Sequence, residues 1–304
     1  MHNSLDDTNS NSVNTPDWFQ WAMSQAVSSR NVEVANCNVH YLLWAGPPKA
    51  ERKGGLLFVH GGGAHAHWWS FLAPFFTNFY RVAAIDLSGM GDSGRREEYS
   101  AEVRSLEILA VIKNAELGDN VFVVGHSFGG LTATKFTQMH GDTVTGLIMA
   151  DSPIRSPDTN ANHKVRHMGN KRHYPDYQTA VRRFRLMPPQ SCKNEFLVQH
   201  IGHHSVTQEP EGWTWKFDGS ALHKRRFMEP YHNYLSETKC RTALIYGDKS
   251  VLLDVKTIDY MTNLMRPGSP VIGIPEAQHH LTLDQPMAFI AAVRAILNQW
   301  NNNS

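Results

Sequence analysis

Cysteine is scarce in this chain, and the little there is carries no pattern. Cys37, Cys192 and Cys240 are three in number and far apart, with no C-x-x-C spacing, which argues against a disulfide framework and a cysteine-based zinc site. Net charge is equally slight: 29 Lys plus Arg stand against 28 Asp plus Glu, a formal balance of +1. The basic residues are scattered rather than gathered into a stripe, so neither a nucleic acid nor a membrane surface is an expected partner. No apolar run approaches the ~20 residues that a bilayer-spanning helix needs. Residues 1–16 are rich in Asn, Ser and Asp and lack the basic-then-apolar order of a secretory signal. They are expected to form a disordered arm of a cytoplasmic protein. Internal repeats are lacking too, and 304 residues are enough for a full core with an inserted subdomain.

What is present is a strand-turn-helix with a serine at the turn. The apolar run Val121-Phe122-Val123-Val124 leads into Gly125-His126-Ser127-Phe128-Gly129, and a helix-like segment follows. A Gly-x-Ser-x-Gly in that setting is a nucleophile elbow: the glycines permit a turn tight enough to hold Ser127 in a strained conformation at the positive end of a helix. A second run, Leu56-Leu57-Phe58-Val59, ends in His60-Gly61-Gly62-Gly63. Such a loop leaves backbone N–H groups uncovered, and the amides of Gly62 and Phe128 are the expected oxyanion hole. Near the end of the chain, Ala277-Gln278-His279-His280 follows the strand-like Pro270-Val271-Ile272-Gly273-Ile274 and supplies a general base for Ser127.

Between these landmarks the periodicity alternates. A short amphipathic helix is expected within residues 17–30, a hairpin over 32–34 and 39–44, then strands at 56–60, 81–86, 121–125 and 144–150. Helices are expected near 67–78, near 101–117 and from 128. That alternation specifies an α/β fold with a mostly parallel sheet covered on both faces, its functional loops at the carboxyl ends of the strands.

These residues together resemble the α/β-hydrolase superfamily of the serine-nucleophile, cap-domain type. The order of landmarks is similar: the His60-Gly61-Gly62 loop, Asp86-Leu87-Ser88-Gly89-Met90-Gly91-Asp92-Ser93 after a strand, the Ser127 elbow and a late histidine. Such families carry Gly-His-x4-(Asp/Glu)-x-Pro around the catalytic histidine. Aligning on Asp284 and Pro286 puts His279 there, with Gln278 where glycine is usual and His280 as its neighbour. The resemblance divides the chain into a core of residues 17–152 and 236–304 and a helical cap of residues 153–235, where strand-like runs give way to His, Arg, Trp and Met. Trp213 and Trp215 alternate with Phe217 in the cap and are candidate substrate contacts, against the alternative of plain packing on the core. Arg182, Arg183 and Arg185 suit a solvated face better than an anion clamp. His65-Ala66-His67 and His200-x2-His203-His204 have histidine spacing but no carboxylate or cysteine frame, and a serine hydrolase needs neither metal nor cofactor.

The third member of the triad is the open position. Related chains often place the acid three residues beyond the glycine that ends the seventh strand, but in Tyr246-Gly247-Asp248-Lys249-Ser250 that place is held by Ser250. Asp151, directly after Gly146-Leu147-Ile148-Met149-Ala150, is the preferred acid, with Asp248 and then Asp254 as alternatives. The chain order Ser127, Asp151, His279 fits the order nucleophile, acid, histidine. The resemblance implies hydrolysis of an ester-like acyl substrate of small or medium size through an acyl-enzyme. Carbon–carbon bond cleavage or lactone hydrolysis on the same triad, and a binder without turnover, are the alternatives. Dehalogenases and epoxide hydrolases of the superfamily use aspartate at the elbow, which Ser127 disfavours.

Overall fold

Val, Ile, Leu and Phe fill the strand segments, and such runs are stable only when both faces of a strand are covered. In a computed structural model, which describes residues 15–158, 171–222 and 229–302, they are. The strands are β1 (Ser28–Val34), β2 (Cys37–Trp44), β3 (Gly54–Val59), β4 (Tyr80–Ile85), β5 (Val121–His126), β6 (Gly146–Ala150), β7 (Val206–Glu209), β8 (Gly212–Trp215), β9 (Arg241–Gly247) and β10 (Val271–Ile274). The helices are α1 (Asp17–Ser24), α2 (Ala101–Asn114), α3 (Phe128–His140), α4 (Tyr177–Arg182), α5 (Glu195–His204), α6 (Tyr231–Ser236), α7 (Val255–Leu264), α8 (Leu281–Asp284) and α9 (Pro286–Asn302). Residues 1–14 of the expected arm lie outside the described residues, as do 159–170 and 223–228 of the expected cap.

Eight strands form one sheet in the order β1-β2-β4-β3-β5-β6-β9-β10. Strand β2 runs antiparallel to β1 and β4, and every other pairing is parallel. Because side chains alternate along a strand, Leu56 and Phe58 of β3 enter one core with Phe122 and Val124 of β5. Leu57 and Val59 enter the other with Val121 and Val123. Helix α9 and the Trp68–Phe76 segment cover the first face, whereas α2, α3, α6 and α7 cover the second. The ends of β3, β5, β6 and β9 therefore open side by side, and four loops meet there.

Several local expectations need correction. No helix spans 67–78: the chain makes two short 3₁₀ turns, Ala66–Trp68 and Ala73–Phe76. Pro74, at the first turn of the second, lacks the N–H a continuous helix would need and collides with the preceding turn. Helix α1 stops at Ser24, and β1 already begins at Ser28. The insertion between β6 and β9 carries helices α4 and α5 but also the antiparallel hairpin β7–β8, paired from Val206↔Trp215 to Glu209↔Gly212. Its two-residue turn, Pro210-Glu211, is released by Gly212 at φ +128°. Helix α6 packs on α3, with the core.

Candidate active site

The elbow is dictated by space. A Cβ on Gly125 would sit 2.6 Å from the Gly129 carbonyl oxygen, and one on Gly129 would sit 2.4 Å from the carbonyl oxygens of Val59 and His60. Only glycine lets β5 turn directly into α3 that close to β3. The residue left at the apex, Ser127, takes φ 53° and ψ −121°, a conformation that costs a side-chain-bearing residue on the order of 1–3 kcal/mol. Its N–H donates to the Ala150 carbonyl at 2.8 Å, tying the elbow to the end of β6.

Asp151 is the next residue after that carbonyl. It is fully buried, and its backbone N–H donates to Ile245 of β9 at 2.8 Å. Its carboxylate accepts three hydrogen bonds: from the Gly247 amide at 3.1 Å on Oδ1, and from Ser250 Oγ at 2.7 Å and His279 Nδ1 at 2.6 Å on Oδ2. Ser250 thus stands where related chains place the acid and donates to the carboxylate of the adjacent strand end instead. Asp248 is exposed. Asp254 is also exposed, and its carboxylate caps α7 by accepting from the Thr257 amide at 2.8 Å. Neither alternative acid bonds to His279 among the described contacts.

His279 is 2 % exposed, and its loop is pinned from three sides. Asp284 accepts from the Gln278 amide at 2.7 Å, Gln190 of the insertion accepts from the His280 amide at 2.9 Å, and His126 Nε2 donates to the His279 carbonyl at 2.9 Å. With Nδ1–H committed to Asp151, the Nε2 lone pair of His279 is left for the cavity. His280 turns aside: its Nε2 meets the Pro188 carbonyl at 3.3 Å. Burial, then the neighbouring His279, push the His126 pKa down to about 3, and the same causes hold His280 well below its ordinary value. Both stay neutral beside the His279 ring.

Gly62 lies on the cavity wall with Gly61 and Gly63, and Phe128 opens α3 immediately after Ser127. The Phe128 ring packs the other way, 4.7 Å beneath the Arg104 guanidinium. Sequence reasoning used Asp86 only as a landmark and missed its task. Asp86 is 1 % exposed, and it accepts from the Ala66 amide at 2.5 Å, from the Asp92 amide at 2.9 Å and from His40 Nδ1 at 2.7 Å. It anchors the far end of the glycine loop. His60, likewise buried, receives the Leu87 amide on Nε2 at 3.0 Å and donates from Nδ1 to Gly61. The signal was there to read: a strand-end aspartate followed five residues later by Gly91, whose Cβ would collide with the Asp86 carboxyl group at 2.2 Å.

Ser127 and His279 line one cavity of about 250 Å³. The core supplies its floor through the glycine loop, Trp68 and His280. The insertion roofs it with Tyr174, residues 183–187 and Trp215-Lys216-Phe217. Of the two candidate tryptophans, Trp215 lines the cavity. Trp213 does not: its backbone pairs with Tyr174 and its ring meets Tyr177 edge-on at 5.0 Å. Arg183 and Arg185 reach the cavity, whereas Arg182 does not. No helix among the described residues is long and apolar enough to cross a membrane.

The profile of the Alpha/beta hydrolase family matches residues 56–293. Esterase Rv0045c of Mycobacterium tuberculosis (strain ATCC 25618 / H37Rv) is 28% identical over 270 residues, 84% of this chain and 87% of that protein. The 2-hydroxy-6-oxo-6-(2'-aminophenyl)hexa-2,4-dienoic acid hydrolase of Metapseudomonas resinovorans is 31% identical over 101 residues, 32% of this chain and 35% of that protein. Among solved structures, E-2-(acetamidomethylene)succinate hydrolase shares the fold with a TM-score of 0.76 at 18% identity, over 90% of this chain and 100% of that one.

Proposed function

The chain belongs to the Alpha/beta hydrolase family, and from that premise we propose that it is a serine esterase acting on small to medium acyl groups. The observation that carries the reading is the buried 2.6 Å bond between His279 Nδ1 and Asp151, next to a serine held at φ 53° on the same cavity. His279 Nε2 takes the proton of Ser127 as its Oγ attacks the ester carbonyl, and Asp151 stabilises the imidazolium that forms. The amides of Gly62 and Phe128, the latter at the positive end of α3, receive the oxyanion. His279 then returns the proton to the departing alcohol, and water, activated by the same base, hydrolyses the acyl-enzyme.

A cavity of about 250 Å³, roofed by Tyr174, Phe184, Trp215 and Phe217, suits a short acyl chain better than an extended lipid tail. The 31% identical segment shared with a carbon–carbon bond hydrolase supports a second reading, cleavage of a diketone-like substrate by the same residues. A series of p-nitrophenyl esters from acetate to palmitate, with Ser127→Ala as the blank, tests the first. Turnover should peak on the short esters and vanish in the variant. A peak on palmitate contradicts the short-chain pocket, and Ser127-dependent cleavage of diketones without ester turnover selects the second reading.

A further inference from the structure

Away from the triad, the insertion and the core meet through histidines. His200 and His204 are four residues apart on α5 and so share one face of that helix. His67 lies in the 3₁₀ turn that follows the glycine loop. One ring nitrogen from each of the three lies within 4.8 Å of the others. We propose that His67, His200 and His204 bind one divalent late first-row transition ion, with Zn²⁺ as the representative, and that the ion clips α5 of the insertion to the core beside the cavity.

The donor set is all imidazole, which suits Zn²⁺, Ni²⁺ or Cu²⁺ and not the oxygen-seeking Mg²⁺ or Ca²⁺. His67 Nδ1 is buried and has no hydrogen-bond partner. The Ser70 hydroxyl donates to the His67 carbonyl at 2.9 Å, so its oxygen receives His200 Nε2–H at 2.8 Å and leaves the His200 lone pair on Nδ1. A ligand histidine whose other nitrogen is held by an outer partner is the usual arrangement around a protein-bound metal. Burial first, and then the other histidines, hold the His67 and His200 pKa values at about 3, so both are neutral and able to ligate at ordinary pH. A neighbouring cation, Lys216, is paired with Asp92 at 2.6 Å.

Ligation requires one movement. The His67 and His204 rings are stacked 3.6 Å apart at 9°, and the in-plane lone pairs of parallel rings do not converge. Tetrahedral zinc with bonds of about 2.0–2.1 Å needs ligand nitrogens roughly 3.3 Å apart. His204 is the ring free to turn: it is half-buried and makes no hydrogen bond among the described residues. His65 and His203 stay out of the cluster, His65 Nε2 being engaged by Ser205 Oγ at 2.9 Å and His203 Nδ1 by the Tyr177 hydroxyl at 2.8 Å.

The test is calorimetric titration of the tag-free, chelator-treated full chain with Zn²⁺, together with thermal unfolding with and without the ion. Wild type should bind saturably at micromolar Zn²⁺ and melt higher with it, since an ion that binds only the folded state stabilises it. Both effects should vanish in His200→Gln/His204→Gln and, from the core side, in His67→Gln. Ser70→Ala should weaken binding by about 10–100-fold. Melting of each variant in chelator checks that it folds, and the two glutamine variants lie on different elements, so a misfolded one leaves the other to decide. Absence of saturable binding in wild type overturns the proposal. So does unchanged affinity in a folded glutamine variant, which would put the ion elsewhere, as on His126, His279 and His280, the other all-histidine trio within reach of one ion among the described residues.

Discussion

Replacing Asp151 by Asn removes one negative charge and turns one acceptor oxygen into a donor, in a site that presents donors only. The three groups facing the carboxylate are the Gly247 amide, the Ser250 hydroxyl and His279 Nδ1. If the new NH₂ faces Gly247, two buried donors oppose each other at a cost of about 1–3 kcal/mol. If it faces His279, Ser250 can rotate to accept, and the imidazole relieves the conflict by moving its proton to Nε2. That tautomer cannot take the proton of Ser127. Either way an imidazolium at His279 loses its counter-charge, and losses on the order of 10⁴ in kcat are known for this change in Ser-His-Asp enzymes. Such a loss corresponds to about 5.5 kcal/mol of transition-state stabilisation. The assay is steady-state hydrolysis of a short p-nitrophenyl ester by Asp151→Asn, Asp248→Asn and Asp254→Asn. Asp248→Asn should retain wild-type kcat because that side chain is exposed, and so should Asp254→Asn, because Asn caps α7 as well as Asp does. A folded Asp151→Asn enzyme within tenfold of wild type, or an equal loss in Asp248→Asn, refutes the reasoning.

Gly129→Ala should lower the melting temperature by several degrees or prevent folding, because its Cβ would stand 2.4 Å from backbone oxygens of β3 and the loop after it and the resulting overpacking costs about 3 kcal/mol or more. A melting curve matching wild type contradicts the close-packed elbow. The buried histidines set a pH dependence. His67, His126 and His200 have folded pKa values near 3, below the ~6.5 of the unfolded chain. The unfolded state takes up their protons first, so stability is full above about pH 6.5 and falls toward pH 3, by up to about 1.4 kcal/mol per pH unit for each group. Urea midpoints should therefore drop between about pH 7 and pH 5, less steeply in His126→Gln; equal midpoints at the two pH values contradict it.

The elbow was legible because its chemistry is local: two glycines, a serine, an apolar run before and a helix after. The sheet was legible for the same reason, its central strands containing short unbroken apolar runs such as Leu56-Leu57-Phe58-Val59 and Val121-Phe122-Val123-Val124. The position of the acid was half legible. Ser250 announced that the usual place was vacant of charge, but only the side-by-side ends of β6 and β9 bring Asp151 within 2.6 Å of a histidine 128 residues away. The β7–β8 hairpin escaped because its strands are four residues each and interrupted by polar side chains, although Pro210-Glu211-Gly212 carries a turn signal. Trp213 and Trp215 both lie on β8, yet which ring meets the cavity depends on the Tyr174–Trp213 bridge, a contact across 39 residues. The same holds for His67, whose meeting with α5 no spacing in the chain records.

Labelling with a fluorophosphonate, followed by peptide mapping, tests the central claim most directly, that Ser127 is a nucleophile activated by His279 and oriented by Asp151. The account predicts a single adduct on the peptide containing Ser127, absent in Ser127→Ala and formed far more slowly in Asp151→Asn. Folded protein that takes up no label, or carries it on another residue, contradicts it.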